Sequence, residues 1–243
     1  MIRRHVSAAL LVRDGFTGRV LASGAQVRCR LDDQPCKPVW KEGGYLVLTD
    51  LERGEHVLLL DRRGYQPERY AFRAEDGETV EDTLFLKPGA GYPFPPGTAA
   101  LTVTVREGTR PAAQPVWTGM SAPAPLKLAQ DDAEGTQLRL FCGNPGLLPV
   151  PGNYLVTGKQ GRELTHLRSL QGEKGELDRP LSGRYGRGTE LVPVQCFQPD
   201  AEGRFRVLFP AAGKAWLHCG GCTGSLDLSA GEQTFTCNCK EES

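Results

Sequence analysis

The chain has 243 residues, with 29 Lys+Arg against 29 Asp+Glu and a formal net charge of zero. That balance excludes a whole-chain basic footprint for nucleic acid, and no apolar run reaches the roughly 18 residues that a membrane-inserted helix needs. Glycine (30) and proline (18) are abundant, above average usage yet below the level of disordered chains, so turns are frequent and elements short.

The first stretch, MIRRHVSAALLVRDGFTGRV, sets Arg3 and Arg4 before an apolar run, the outline of a secretory leader. The run from Val6 to Val12 is too short for most leader cores and is cut by Arg13 and Asp14, so it reads as a strand. The expectation is cytoplasmic synthesis without a signal peptide, the product staying there or leaving as part of a released particle. A reducing compartment disfavours disulfides.

Further strands follow in order: AQVRCRL, GGYLVLTDL, EHVLLLD, RYAFRA and EDTLFLK. In AQVRCRL, Val27, Cys29 and Leu31 alternate with Gln26, Arg28 and Arg30, the period-2 pattern of a half-buried strand. Such runs recur about every ten residues between Gly, Pro and Asp, which predicts an all-β sandwich. No segment here holds a helical period.

The stretch VRDGFTGRVLASGAQVRC and, after it, GGYLVLTDLERGEHVLLLDRRGYQPERY resemble a carboxypeptidase regulatory-like domain, the transthyretin-like (prealbumin-like) sandwich. Asp14–Gly15, Gly18, Gly24–Ala25, Gly44–Tyr45, Leu51 with Gly54, and Gly64–Tyr65 carry the resemblance over residues 5–88. It implies a β-sandwich over 1–89, taken here as seven-stranded, and a non-catalytic module. In carboxypeptidases such a domain accompanies the enzyme domain, and no metallopeptidase domain is present in this chain. DDQPCKPVWKEG stands as an insertion where the family pattern has a short loop.

KPGAGYPFPPGTAA reads as an extended, semi-rigid linker. Two more strand-rich stretches follow, 97–172 and 180–243, separated by the polar, glycine-rich SLQGEKGELDRPLSGRYGRG. Turn grammar repeats among them: DAEGRFRVLFPAAGKAWL matches KEGGYLVLTDLERGEHVL. The fold class is therefore all-β, with tandem transthyretin-like or Ig-like sandwiches. The alternative is one larger domain over 97–243.

Half of the eight cysteines lie near the C-terminus, at Cys219, Cys222, Cys237 and Cys239. The Gly220–Gly221 turn lets the first pair aim at one point, and the second pair, two apart on a strand, shares a face. If SLDLSAGEQTFT is a hairpin, it returns the second pair to the first. Four thiolates at about 2.3 Å would hold a closed, structural Zn²⁺. A zinc ribbon uses C-x2-C twice, so the tighter CNC departs from it, and His218 is a substitute ligand. Disulfides and reduced cysteines packed as small apolar groups are the alternatives. Cys29, Cys36, Cys142 and Cys196 read as buried small residues.

No catalytic constellation stands out. The four histidines, His5, His56, His166 and His218, lie in no zinc-protease motif and beside no nucleophile elbow. His56 sits in a period-2 strand and reads as structural. The glycines of GRYGRGTE lack the strand and helix of a dinucleotide site, and Arg184 and Arg187 read as solvated loop residues. Asp32–Asp33 and Asp131–Asp132 read as turn caps. The chain is expected to be no enzyme but a structural or binding protein within a larger assembly, such as a phage-tail-like or contractile injection particle. Its partners are expected to be proteins or copies of itself, with no nucleic acid and no membrane insertion. The rival reading is a carbohydrate-binding or adhesin module that stacks sugars on exposed Trp40, Trp117 and Trp216.

Overall fold

A computed structural model of the chain describes residues 5–21, 26–121, 126–131, 133, 135–143, 150–159, 161–220 and 222–239, the last without its side chain. The fold is all-β, in two compact units, Met1–Pro95 and Pro96–Ser243. Among the described residues no helix is long and apolar enough to cross a membrane.

The first unit holds β1 (Val6–Asp14), β2 (Val27–Leu31), β3 (Gln34–Cys36), β4 (Val39–Lys41), β5 (Tyr45–Thr49), β6 (Gly54–Arg62), β7 (Glu68–Ala74) and β8 (Val80–Leu86). They form two four-stranded sheets, β4-β5-β1-β8 and β3-β2-β6-β7. The alternation in β1 decides its placement: Ala8, Leu10 and Val12 are fully buried, with Leu46, Leu58, Leu60 and Leu86 around them. Each such leucine stabilises the fold by roughly 2 kcal/mol through area removed from water.

The expected seven strands become eight, because the apparent insertion is built into the sheets. Asp32 and Asp33 both take positive φ, 50° and 62°, so Leu31 pairs with Gln34 across a two-residue turn. That is the turn that suits the twist of a tight hairpin. β3 then extends one sheet and β4 the other. Pro35 is tolerated because β3 is an edge strand.

The expected linker is also shorter than its composition implies. Tyr92 is 7% exposed, and the Gly89 N–H donates to the Gly64 carbonyl at 2.9 Å. A side-chain carbon on Gly89 would lie 2.6 Å from the Tyr65 backbone carbon. Only glycine lets the chain pass so close. Residues 89–94 thus belong to the first unit's packing.

The second unit begins with β9 (Ala99–Glu107), β10 (Arg110–Pro111) and β11 (Val116–Met120). Then come β12 (Leu126–Leu128), β13 (Gln137–Phe141), β14 (Gly152–Thr157), β15 (Arg162–Gln171), β16 (Lys174–Leu177) and β17 (Glu190–Pro193). It ends with β18 (Gln195–Phe197), β19 (Arg204–Phe209), β20 (Gly213–Cys219), β21 (Cys222–Leu228) and β22 (Gly231–Cys239). Strands β12 to β17 close into a barrel in the order β12-β13-β16-β15-β14-β17. The strands before and after it form a sandwich, with β22, β9, β19 and β10 in one sheet and β18-β11-β20-β21 in the other.

The barrel is therefore inserted into the sandwich between β11 and β18. Strands of 97–172 and of 180–243 share both sheets and the barrel, so the two stretches are interleaved and do not stand as successive sandwiches. The polar stretch expected to separate them contains the end of β15 and all of β16. The chain leaves and rejoins the sandwich at one place. A side-chain carbon at Gly119 would sit 2.0 Å from the Pro193 carbonyl oxygen, so β11 and β17 touch backbone to backbone. Leu155, Val192, Val194 and Trp216 pack that joint.

Candidate functional site

Inward alternation along β1 ends on a carboxylate. Asp14 follows Val12 on the core face and is 6% exposed. Its Oδ1 accepts the Phe16 and Thr17 N–H groups at 2.8 and 2.7 Å. Its Oδ2 accepts the Tyr65 and Tyr92 hydroxyls at 2.6 and 2.7 Å. Burial pulls the carboxyl's pKa upward, but the two hydroxyls and the two N–H groups together outweigh it and hold it below its ordinary value. Burial and the same carboxylate push Tyr65 up to about 12. Phe16, Tyr65, Tyr92 and Phe94 pack edge to face around this point. With every acceptor position occupied, Asp14 ties the end of the unit down and is not placed to act as a base.

His56 is tied in the same way. Its Nδ1 faces Asp32 Oδ2 at 2.7 Å and its Nε2 faces the Glu52 carbonyl at 2.8 Å. Both partners are acceptors, so both ring nitrogens are called on to donate, which favours the imidazolium. The Glu52 carbonyl first, and Asp32 after it, raise the ring's pKa against the opposing effect of burial. Asp32 also accepts the Val57 N–H at 2.8 Å, which joins the β2–β3 turn to β6. A third tie lies on the barrel: Glu163 accepts the Ser182 hydroxyl and the N–H groups of Ser182 and Gly183. This fixes the loop that lays Tyr185, 3% exposed, against Gly158 and Gly183.

The cysteines divide by sheet. Cys219 and Cys222 are register partners across the β20–β21 turn, so they share a face, and Cys219 is fully buried. Cys237 packs against the same core from the facing sheet. The expected hairpin is absent, because β21 pairs with β20 while β22 pairs with β9. Cys237 is in register with Val105, and the Cys219 thiol lies 3.9 Å from Gln114 Oε1. Both positions mark the end where the chain crosses from β9 to β11. The side chain of Cys239 lies outside the described residues, and among those residues no three His, Cys, Asp or Glu gather as metal ligands. His218 alternates with Cys219 and so faces the other way, with its Nδ1 at 2.7 Å from the Thr223 hydroxyl. It cannot replace an inward sulfur. Cys29 stands opposite Cys36 across β2–β3, and burial, with Cys36 beside it, pushes its thiol up to about 12. Cys29 fits the expected buried residue, Cys36 and Cys142 are half-buried, and Cys196 is exposed.

The tryptophans offer no stacking platform. Trp40 and Trp117 are half-buried against cores, and Trp216 is 7% exposed. Its indole N–H donates to Ser121 Oγ at 3.1 Å, and Arg162 and Lys214 each stand 5.0 Å from its ring centroid. The carbohydrate reading based on exposed tryptophans is corrected accordingly.

One feature that residue motifs do not reveal is the edge of β22. This strand is in register with β9 along its whole length, and no described strand pairs with its other edge. Natural edges are blunted by lysine, proline, bulges or brevity. The sequence GEQTFTCNC contains no proline and no lysine, and its one charge, Glu232, is paired with Arg206 at 2.7 Å. Phe235, two residues from Cys237 and on the same face, remains 36% exposed.

No family model matches the chain, and no curated protein matches it. Solved structures that are similar to it include the Bacillus anthracis TIE protein, at 12% identity and TM-score 0.29 over 97% of this chain, which spans 34% of that one. BcpA, the major pilin subunit of Bacillus cereus, is 9% identical with TM-score 0.29, over 97% of this chain and 99% of that one. Shaft pilin SpaA from Lactobacillus rhamnosus GG is 9% identical with TM-score 0.25, over 97% of each chain. These likenesses are too loose to bear on function.

Proposed function

We propose that the chain is a non-catalytic building block that joins a larger assembly by adding a strand at the free edge of β22. The open edge is the observation that carries this reading. An unblunted strand nine residues long lies at a sheet edge where no described strand pairs with it, and strand addition is a general mode of protein recognition. The non-catalytic part is supported by the ties above, in which Asp14, His56 and Glu163 are each held by structural partners. The resemblance of residues 5–88 to carboxypeptidase regulatory-like domains points the same way. A phage-tail-like or contractile particle is one case of such an assembly.

The partner that fits is a second copy. Laid antiparallel about Phe235, two β22 strands set Phe235 against Phe235 and Thr234 against Thr236. Glu232 then meets Asn238, so no like charges oppose one another, and Thr–Thr and aromatic pairs are favourable across strands. Light scattering on the purified protein tests this. Self-association is expected for the natural sequence, and Thr234→Lys with Thr236→Lys should abolish it. A monomer at all concentrations, or association unchanged by the lysines, refutes the edge.

The crossover end of the same sandwich is where we place the structural zinc, on Cys219, Cys222, Cys237 and Cys239. The support is that the backbone brings both cysteine pairs to that end from opposite sheets. Bound there, the metal would link the two sheets.

A further inference from the structure

The outer face of the barrel carries a second unbalanced surface. Lys127 on β12 is the register partner of Phe141 on β13, and Arg139, two residues before Phe141, is the partner of Lys174 on β16. Cross-strand partners and residues two apart share a face, so three cations and an aromatic ring stand together outside the barrel. Arg187 joins them from the loop before β17, where its N–H donates to Asp131 Oδ1 at 2.9 Å. A cleft of about 370 Å³ opens between Lys127, Arg139, Phe141, Glu173 and Arg187.

Two features of this cleft are unfavourable in the isolated protein. Three cations, Lys127, Arg139 and Arg187, line the cleft against a single carboxylate, Glu173. Glu173 meets Arg139 at 3.2 Å, but both side chains are more than 60% exposed, so the pair contributes little. Glu190, across from Lys127 on β17, is not among the cleft walls. The second feature is Phe141 itself, 59% exposed on a strand that buries Leu138 and Leu140. One occupant relieves both: an anion for the cations and a flat apolar body for the ring. The backbone around the cleft is already engaged, with Leu128 N donating to Thr189 O, Ala129 N to Arg139 O and Gly188 N to Leu128 O at 2.8–2.9 Å. Charge and stacking are what remain for recognition.

We propose that this cleft binds a phosphate or sulfate monoester carried on a planar ring, the cations taking the anion and Phe141 stacking on the ring. Its volume falls within the range of small-ligand sites.

The test titrates the full chain at low salt with adenosine 5′-monophosphate, phenyl phosphate, phenyl sulfate, cyclohexyl phosphate and inorganic phosphate, read by calorimetry. The planar monoesters should bind about tenfold or more tightly than cyclohexyl or inorganic phosphate, from stacking. The phenyl pair decides between phosphate and sulfate. Phe141→Ala should remove the preference for planar rings, Arg187→Gln should weaken every anion, and Glu173→Gln should strengthen every anion. All three residues are exposed, so the variants should fold. Equal affinity for planar and non-planar phosphates, binding indifferent to Phe141→Ala and Arg187→Gln, or no binding at all would each overturn the proposal.

Discussion

The two sandwiches differ in what they bury and in how they close: leucines dominate the first core, while the second mixes valine, phenylalanine and alanine with a few leucines. In the first unit β1 through β8 run without interruption, and the trailing segment is fastened back by Tyr92 to a carboxylate on β1. In the second, β9 to β11 leave a half-made sandwich, a barrel intervenes, and β18 to β22 complete it. In both units the last strand lies parallel to the first, Val80 in register with Ala8 and Gly231 with Ala99, but in the second the whole barrel lies between the partners. A sandwich completed only by its final strand depends on contacts distant in sequence, which are slow to form and are lost together. Both final strands lie at a sheet edge, but β8 carries Glu81 and Asp82, whereas the one charge of β22, Glu232, is already paired.

The largest effect should come from loss of the final strand. Removing residues 230–243 should abolish the cooperative unfolding of the second unit and leave the first unit's transition in place. Hydrogen exchange followed by mass spectrometry reads both units at once, and protection retained by β9 in the truncated chain would show that the final strand is dispensable. Gly119→Leu should come next. Its side chain meets a carbonyl that cannot move without opening the joint between sandwich and barrel, so a loss of about 3 kcal/mol or more is expected.

Asp14→Ala is the matching break in the first unit. It leaves the Tyr65 and Tyr92 hydroxyls without their acceptor, and a loss on the order of 3 kcal/mol follows, read by urea denaturation of residues 1–95. Tyr92→Phe removes a single hydrogen bond and should lose about 1 kcal/mol. The acid limb gives the sign. A carboxyl whose folded pKa is lowered contributes stability that is present above its unfolded pKa and lost as pH falls through the folded one. Asp14→Asn should therefore remove part of the first unit's acid sensitivity below the ordinary carboxylate pKa, and an unchanged acid limb would mean the tie does not form.

How much of this was legible follows from what period-2 alternation reports. It says which residues of a strand share a face, and so it places Val27, Cys29 and Leu31 against the first core, where they lie, and marks the strands of the first unit. It does not say which sheet a strand joins. LTVTVRE, RLRLF-like runs such as QLRLF, and RFRVLF look alike, yet the first and last pair in the sandwich while the second closes the barrel. The Pro and Gly content of KPGAGYPFPPG suits an extended spacer and a docked segment equally, because the group that docks it, Asp14, lies far away in sequence. The same alternation that buries Val12 sends Asp14 inward, and that was the available signal. For the cysteines, the spacing implies a hairpin between the two pairs, whereas Cys237 reaches the core from the facing sheet, because which sheet β22 joins is not written in its alternation.

A structural zinc on Cys219, Cys222, Cys237 and Cys239 would set the two units further apart. Chelation, or Cys237→Ser, should destabilise the second unit and leave the first unchanged, while Cys29→Ser should affect neither metal content nor the second unit. Mass spectrometry of tag-free protein should find about one zinc per chain, coupled to folding. Protein without metal and with all thiols reactive in denaturant would remove the site.

The smallest effect belongs to His56. Its folded pKa is raised, so its contribution is fully present below the ordinary histidine value and is lost as pH rises through the folded one. The first unit should therefore lose a little stability from mildly acidic to mildly alkaline pH, and His56→Gln should flatten that slope. A slope of the opposite sign would exclude the imidazolium.

The open edge of β22 is the central claim, and a charge exchange tests it most directly. One variant carries Thr234→Lys and Thr236→Lys, and a second carries Thr234→Glu and Thr236→Glu. Antiparallel pairing sets position 234 of one copy against 236 of the other, so each variant alone should be monomeric by light scattering. Mixed in equal amounts at low salt, they should form a one-to-one heterodimer that dissociates as salt is raised. Association of either variant with itself, or no association on mixing, would contradict strand addition at β22.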